Sequence, residues 1–136
     1  MAILTPLSKR EVVFSDVPGD FTLNPVNLDL TRKTNEEAIK ESIMNILFTN
    51  KGERLMRPAF GGNIEATLFE NLTPVTASLT EDRIKETLKL FEPRADILSV
   101  SVTTNLDSNN LDITITFKLI NSSDPVNFTV TLNRVR

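Results

Sequence analysis

The chain has 136 residues and a formal net charge of −3, from 15 Lys and Arg against 18 Asp and Glu. It contains no His, Cys, Trp or Tyr. The missing His and Cys exclude Ser-His and Cys-His nucleophile pairs, zinc sites of the usual Cys and His kind, disulfides and thiol redox motifs. Acid–base chemistry would therefore depend on carboxylates, Lys or metal-bound water.

The overall composition, 40% hydrophobic and 24% charged, is typical of one soluble globular domain. The slight acidity argues against broad nucleic-acid binding, which normally needs a basic face. No apolar run approaches the ~20 residues that span a bilayer, and the N-terminus lacks the features of a secretory signal. We therefore predict neither a nucleic acid nor a membrane as a partner, and no cofactor or metal.

The N-terminal segment differs from the rest of the chain. It holds Pro6, Pro18 and Pro25, three of the seven prolines, and shows no helical period. Pro and Gly within residues 16–20 indicate a turn. We predict an extended N-terminal arm over 1–33, with short strand pieces, and a single domain over 34–136. Two interpretations stay open, a terminus packed on its own domain and an arm that lies on a partner.

Three helices are predicted in the middle of the chain. The first covers 34–49, where Thr34 and Glu37 form a capping-box signature and Gly52 is a candidate left-handed C-cap. Its apolar stripe consists of Ile39, Ile43, Ile46 and Leu47.

The second helix is short, 63–70, with Asn63 as a candidate N-cap. The third covers 75–91 and is stopped by Pro93, because the residue before a proline disfavours the α region. Within it, Glu81 and Lys85 have the spacing of an exposed ion pair.

Apolar and polar residues alternate in the last third of the chain, which predicts three antiparallel strands. The apolar positions of these strands are Leu98, Val100, Val102; Leu111, Ile113, Ile115, Phe117, Leu119; and Val126, Phe128, Val130, Leu132. The fold class is therefore α+β, with two long helices and one short helix on one face of a small three- to four-stranded antiparallel sheet. The last strand is a candidate edge that can accept a strand from another chain, unless the N-terminal arm covers it.

The segment 52–62 is rich in glycine, with Gly52, Gly61 and Gly62 among the four glycines of the chain. Such a concentration indicates a backbone that bends sharply or approaches another group closely. It also carries Arg54, Arg57 and Phe60, the composition of an interface hot spot. The alternative is that Phe60 fills the core and the arginines are solvated or paired internally.

The triplet Glu92-Pro93-Arg94 follows the third helix. In an extended segment the side chains of residues 92 and 94 point to the same side, so an acid and a guanidinium are presented together. They can form a brace within the domain or a recognition tip. The residues alone favour the brace slightly, because Pro at a helix exit is common.

Carboxylates are the only enzymatic option left by the composition. The candidates Glu53, Glu65, Glu70 and Glu92 flank the loop-rich middle. A glycosidase needs two carboxyl groups about 5–10 Å apart across a cleft. Solvated or helix-end acids explain these residues without catalysis, so no catalytic residue and no enzymatic activity is predicted.

Several motifs combine into a resemblance that covers about residues 30–135. A capped helix is followed by NKGERLMRPAFGGNIEATLFENLTP, then by FEPRADILSV and a meander of strands. This order resembles the small baseplate wedge protein of contractile-tailed phages. That family includes the sheath initiator of T-even phages and the related subunit of type VI secretion baseplates. A similar fold in a bacterial anti-adaptor fits the motifs less well.

The resemblance implies a structural role in a virion tail baseplate that is assembled in the host cytoplasm. Glu92, Pro93 and Arg94 would contact the helical core bundle of the other wedge proteins, which raises the recognition tip above the brace. Strands within about 111–134, including Val126, Phe128, Val130 and Leu132, would exchange strands with the first ring of sheath subunits. The tail tube is a further candidate partner. The alternatives are a lysozyme-like glycosidase, a label that this family has also carried, and a monomeric regulatory binder.

Overall fold

Helices and strands segregate along the chain in a computed structural model that describes residues 13–71, 73–105 and 107–133. The elements are β1 (Ser15–Asp16), β2 (Lys33–Thr34), α1 (Glu36–Phe48), α2 (Ile64–Leu68), α3 (Pro74–Phe91), β3 (Ala95–Asn105), β4 (Asn110–Leu119) and β5 (Pro125–Asn133). The predicted α+β class, with its two long helices, one short helix and small antiparallel sheet, is confirmed. None of the helices in the described ranges has the length and apolarity to cross a membrane.

The chain divides into two units, Met1–Ala38 and Ile39–Arg136. In the first unit, β1 and β2 pair antiparallel, with Ser15 opposite Thr34. A turn in which the Phe21 N–H donates to the Pro18 carbonyl, 3.1 Å away, starts the return of the chain. The described part of the predicted arm therefore folds back on itself, whereas Pro6 lies outside the described residues.

Helix α1 begins at Glu36, later than the sequence indicated. Thr34 belongs to β2, and Asn35 between strand and helix has φ 50°. The Asn35 side-chain oxygen accepts the backbone N–H groups of Val13 (3.0 Å) and Phe14 (3.2 Å). The predicted apolar stripe of α1 is confirmed, since its four members are buried.

The two later helices begin differently. The Thr73 hydroxyl accepts the Thr76 N–H at 3.2 Å, and Pro74 occupies the first turn of α3, where a missing N–H costs nothing. Asn63 stands at the N-cap of α2, but with φ 51° and no capping hydrogen bond from its side chain. The predicted capping role of Asn63 is therefore wrong, because the backbone there turns through a left-handed residue.

The second unit contains a three-stranded sheet in the order β3-β4-β5. The inner face of β4 is buried along its whole length, and α3 packs against β3. The pairing register of β3 with β4 shifts between Ile97 and Ser99. One extra residue in a strand moves the following side chains to the other face. Leu98, predicted to point inwards, is therefore 47% exposed, while Ile97 is buried.

Candidate partner-binding surfaces

The corner between α3 and β3, residues 92–94, directs its acid into the protein. The Glu92 side chain is only 2% exposed. Its Oε1 accepts Arg94 Nε at 2.7 Å, its Oε2 accepts Arg94 Nη2 at 3.1 Å, and the Ser42 hydroxyl donates to Oε2. Bidentate pairs of this kind combine strength with a fixed geometry. In the isolated chain the corner is therefore the internal brace that the residues alone favoured.

The outer side of the corner is formed by Pro93 and by the Arg94 side chain, which is 29% exposed in its ion pair. A groove of about 530 Å³ lies beside Pro93. It is lined by Lys89, Pro93, Ala95, Asp96, Ile97, Lys118, Leu119 and Ile120. Two lysines against one aspartate make the groove mildly cationic, although the whole chain is acidic.

The glycine loop, residues 52–62, returns to the C-terminal end of α1. The Gly62 N–H donates to the Ile46 carbonyl at 2.9 Å, and the Asn63 N–H donates to the Thr49 carbonyl at 3.4 Å. Such carbonyls have no partner within their own helix. Gly61 has φ 120°, and a Cβ placed on it would lie 2.2 Å from the Thr49 oxygen. Only glycine allows this close approach.

Gly52 is not the C-cap of α1 that the sequence predicted. The helix ends at Phe48, four residues earlier. Gly52 has φ 86°, and its N–H donates to the Pro58 carbonyl at 2.8 Å. Its left-handed conformation therefore closes the glycine loop instead of ending the helix.

The three interface candidates of the glycine loop occupy different environments. Phe60 is 9% exposed, and its ring lies 4.9 Å from the ring of Phe91. The Arg54 guanidinium carbon lies 4.1 Å from the centre of the Phe60 ring, a cation–π contact. Arg57 is exposed. The structure thus places Phe60 in the core, under Arg54.

The exposed apolar residues of this loop are ones that the sequence analysis did not single out. Leu55 is 97% exposed and Met56 is 96% exposed. The available signal was an apolar pair between two arginines, inside a glycine-bounded segment without helical or strand period. Residue type alone favoured Arg and Phe as interface residues, whereas the exposure of a side chain depends on the conformation of the loop.

The two edges of the sheet differ. At the β3 edge, the Glu81 carboxylate from α3 accepts the Val102 N–H at 2.8 Å. Glu81, for which the sequence indicated an exposed pair with Lys85, thus contributes to covering this edge. Strand β5 forms the opposite edge. The strands predicted to exchange with another chain therefore include an edge strand, although Arg134 lies outside the described residues.

The hydrogen bond from the Val102 N–H to Glu81 also indicates which backbone groups of β5 point away from β4. Because the Val102 N–H points away from β4, Val102 and its partner Ile113 form a pair without mutual hydrogen bonds. Ile113 must then bond to its other neighbour, Val130. Residues of β5 alternate in direction, so the outward N–H and C=O groups belong to Asn127, Thr129, Thr131 and Asn133.

An apolar groove of about 420 Å³ borders the end of β5. It is lined by Phe48, Glu65, Leu68, Phe69, Thr131, Leu132 and Asn133. Val130 and Leu132 are buried, whereas Val126 and Phe128 on the same face are half-buried. The four candidate residues for strand exchange therefore form a gradient of exposure along one face of the edge strand.

Three of the four carboxylates considered for catalysis accept local hydrogen bonds. Glu53 accepts the Asn50 N–H at 2.8 Å, and Glu65 accepts the Asn50 side-chain amide at 3.2 Å. Glu92 is bound by Arg94 and Ser42, and Glu70 is exposed at the end of α2. Within the described ranges, no group of three or more acidic side chains is placed to hold a metal ion.

A braced corner, a tightly held loop and a strand at the edge of the sheet are thus the main surface features of the described residues. The profile of the baseplate wedge protein gp25 family matches residues 33–124. The chain is 34% identical, over 114 residues, to the baseplate wedge protein gp25 of Enterobacteria phage T4, covering 84% of this chain and 86% of that one. The chain belongs to the baseplate wedge protein gp25 family of phage-tail structural proteins.

Solved structures agree with this assignment. The chain is similar to a component of the anti-feeding prophage baseplate, with 27% identity, a TM-score of 0.70, and 82% and 89% of the two chains covered. It is also similar to a Geobacter sulfurreducens protein described as a candidate tail lysozyme, with 35% identity, a TM-score of 0.67 and coverage of 74% and 92%. A type VI secretion baseplate component, 15% identical with a TM-score of 0.58 over 70% and 89%, shares the fold.

Proposed function

We propose that this protein is a structural component of a tail baseplate that binds the wedge core bundle and initiates sheath polymerisation by strand exchange. The proposal of strand exchange rests on the β5 edge. The backbone groups that point outwards there belong to four alternate residues of the strand. An edge strand can accept a strand from another chain through main-chain hydrogen bonds, and side-chain pockets add specificity. The apolar groove beside Leu132 supplies such a pocket.

For the wedge contact, the proposal divides the triplet by role. Pro93 and Arg94 face the partner, and Glu92 holds Arg94 in position from inside. Lys89 and Lys118 flank the neighbouring groove, so the core bundle is expected to present acidic side chains there. The tail tube is a further candidate partner, and the expected location is the virion tail baseplate after assembly in the host cytoplasm.

The strand-exchange step is tested with proline, because proline removes one N–H without adding charge. Thr129→Pro removes an outward N–H, so the domain should fold while sheath assembly on isolated baseplates is lost. Val130→Pro removes an N–H that bonds to β4, so this variant should fail to fold. Thr129→Ala is the matched control, since it loses the side-chain contact with Thr114 but keeps the N–H. Normal sheath assembly with folded Thr129→Pro protein would contradict the proposal.

A second candidate function, cleavage of peptidoglycan, rests on the description of the Geobacter sulfurreducens relative. The best remaining carboxylates for it are Glu65 and Glu70, since Glu92 is buried in an ion pair. Release of reducing ends from peptidoglycan by purified protein, lost in Glu65→Gln or Glu70→Gln, would support the glycosidase. Turnover that is absent in all variants and in the unmodified protein would support the structural role alone.

A further inference from the structure

The tip of the glycine loop presents two apolar side chains almost completely to solvent. Leu55 and Met56 are 97% and 96% exposed, the highest values among the large hydrophobic residues in the described part of the chain. Single exposed apolar residues are common on protein surfaces. Two adjacent ones in a loop are different, because the loop has no helix or strand periodicity that would place apolar residues at these positions.

The loop that carries this tip is held in place at several points. The Gly52 N–H bonds to the Pro58 carbonyl across the base of the loop, and the Arg57 N–H bonds to the Arg54 carbonyl at 3.2 Å, which closes a turn around the tip. The Asn50 N–H is accepted by Glu53 at 2.8 Å. A preorganised tip loses little conformational freedom on binding, which favours affinity.

Behind the tip, the loop is anchored in the core. Phe60 packs on Phe91, and Arg54 covers the Phe60 ring. Gly61 and Gly62 join the loop to the end of α1. The tip therefore cannot turn its apolar side chains inwards without breaking contacts of a buried aromatic residue.

The charges beside the tip indicate what it contacts. Arg54 and Arg57 flank Leu55 and Met56 in the sequence, whereas the whole chain is acidic. The Arg54 guanidinium lies over the Phe60 ring, so its position is already set although the residue is exposed. Anionic lipid would also attract arginines, but two apolar residues on a short loop offer little area for membrane insertion.

We propose that Leu55 and Met56 insert into an apolar pocket, bordered by carboxylates, on a neighbouring baseplate protein. This contact is separate from the corner and from the β5 edge, and it rests on the proposed baseplate role. Arg57 pairs with the carboxylates at the border of the pocket, and Phe60 acts only through the position of the loop. Met adapts well to such pockets because its side chain is unbranched and flexible, and Leu adds apolar area.

The first test uses tail particles from cells in which the gene for this chain is deleted and tagged variants are supplied. The double variant Leu55→Ser/Met56→Ser should enter baseplates about tenfold less than the unmodified protein, which corresponds to losing one good anchor contact. Its thermal unfolding should be unchanged, because the replaced side chains are exposed. Val75→Ser, at an exposed apolar position of α3, is the matched control and should enter normally.

The second test separates charge from shape. Arg57→Glu should reduce entry by a similar factor, whereas Lys51→Glu, an equal charge change on an exposed residue beside the loop, should not. A photocrosslinker at position 55 should yield one protein neighbour, attached at a surface with both apolar and acidic residues.

The outcomes distinguish this inference from the baseplate proposal. Normal entry of the double variant, or crosslinks that spread over several proteins, would overturn the insertion of the tip alone. Loss of the double variant together with co-sedimentation of the unmodified protein with phosphatidylglycerol vesicles would overturn it in favour of a membrane contact. Absence of the unmodified protein from baseplates would overturn both proposals.

Discussion

The corner at residues 92–94 and the glycine loop at 52–62 invert the usual placement of side chains. The corner buries a carboxylate, and the loop exposes Leu55 and Met56 while it buries part of its backbone. Pro93 restricts the backbone at the corner, and the glycines allow the unusual backbone of the loop. A side chain distant in the sequence makes a further contact in each region: Ser42 bonds to Glu92 at the corner, and Phe91 packs on Phe60 behind the loop. Pro and Gly residues therefore predict which segments have an unusual backbone, whereas the direction of each side chain depends on partners that are distant in the sequence.

The largest expected effect comes from the anchor of the loop. Phe60→Ala should lower the free energy of unfolding by about 4 kcal/mol, because it removes a buried ring and leaves a cavity beside Phe91. Urea denaturation measures this change. Phe69→Ala, at an exposed Phe nearby, should cost less than about 1 kcal/mol. Equal costs for the two variants would contradict the placement of Phe60 in the core.

Removing the ion pair at the corner should lower the free energy of unfolding somewhat less. Arg94→Ala should lower the free energy of unfolding by about 3 kcal/mol, because the Glu92 carboxylate stays buried without its bidentate partner. The double variant Glu92→Gln/Arg94→Ala should recover part of this loss, since no uncompensated charge remains. A double-mutant cycle by chemical denaturation gives the coupling. Additive losses would show that the two side chains do not depend on each other.

The same pair of variants sharpens the test of partner binding at the corner. A loss of wedge binding in Arg94→Ala alone is ambiguous, because the corner itself is destabilised. Binding by the double variant, measured where it is fully folded, isolates the guanidinium as a contact. Retained binding there would count against Arg94 as part of the wedge interface.

The two glycines at the ends of the loop separate close approach from backbone conformation. Gly61→Ala should cost about 3 kcal/mol, because its Cβ would collide with the Thr49 carbonyl and φ is unfavourable. Gly52→Ala should cost about 1 kcal/mol, since φ is positive but no atom of the described residues lies within 4 Å of the added Cβ. Thermal unfolding of both variants would decide this, and the reverse order would contradict the described packing.

A further small effect concerns the Glu81 carboxylate, which bonds to the β3 edge. Glu81→Ala should cost about 1–2 kcal/mol, because the Val102 N–H loses its acceptor. Glu81→Gln keeps an oxygen in place and should cost less. Hydrogen exchange at Val102, followed by nuclear magnetic resonance, should speed up in Glu81→Ala and change little in Glu81→Gln. Unchanged exchange in both variants would show that another group protects this N–H.

Periodicity predicted the helices and strands well, because burying one face of an element requires apolar residues at its repeat. The limits of α3 agree within one residue, owing to Thr73, Pro74 and Pro93. Local exceptions were not predictable in this way. The alternation of residue types does not reveal the register shift near Leu98. The left-handed conformations of Asn35 and Asn63 depend on contacts with neighbouring segments of the same chain.

For the candidate surfaces, sequence reasoning found the right segments but not always the right side chains. Both options for Glu92-Pro93-Arg94 were visible, yet only Ser42, 50 residues earlier, completes the burial of the acid. The position of β5 at an edge of the sheet was expected from strand order. Which of its amides face outwards follows from the strand pairing and from the direction of the Val102 N–H, neither of which the sequence shows.

The alternation of side chains between the two faces of β5 constrains the sequence of any strand that pairs with it. Residues opposite each other in paired strands share a face of the sheet. The added strand must therefore carry polar residues opposite Thr129 and Thr131, and apolar residues opposite Val130 and Leu132, where the apolar groove begins. A shift by one residue would turn its apolar side chains to solvent, so the alternation of side chains along β5 constrains both the register and the composition of a pairing strand.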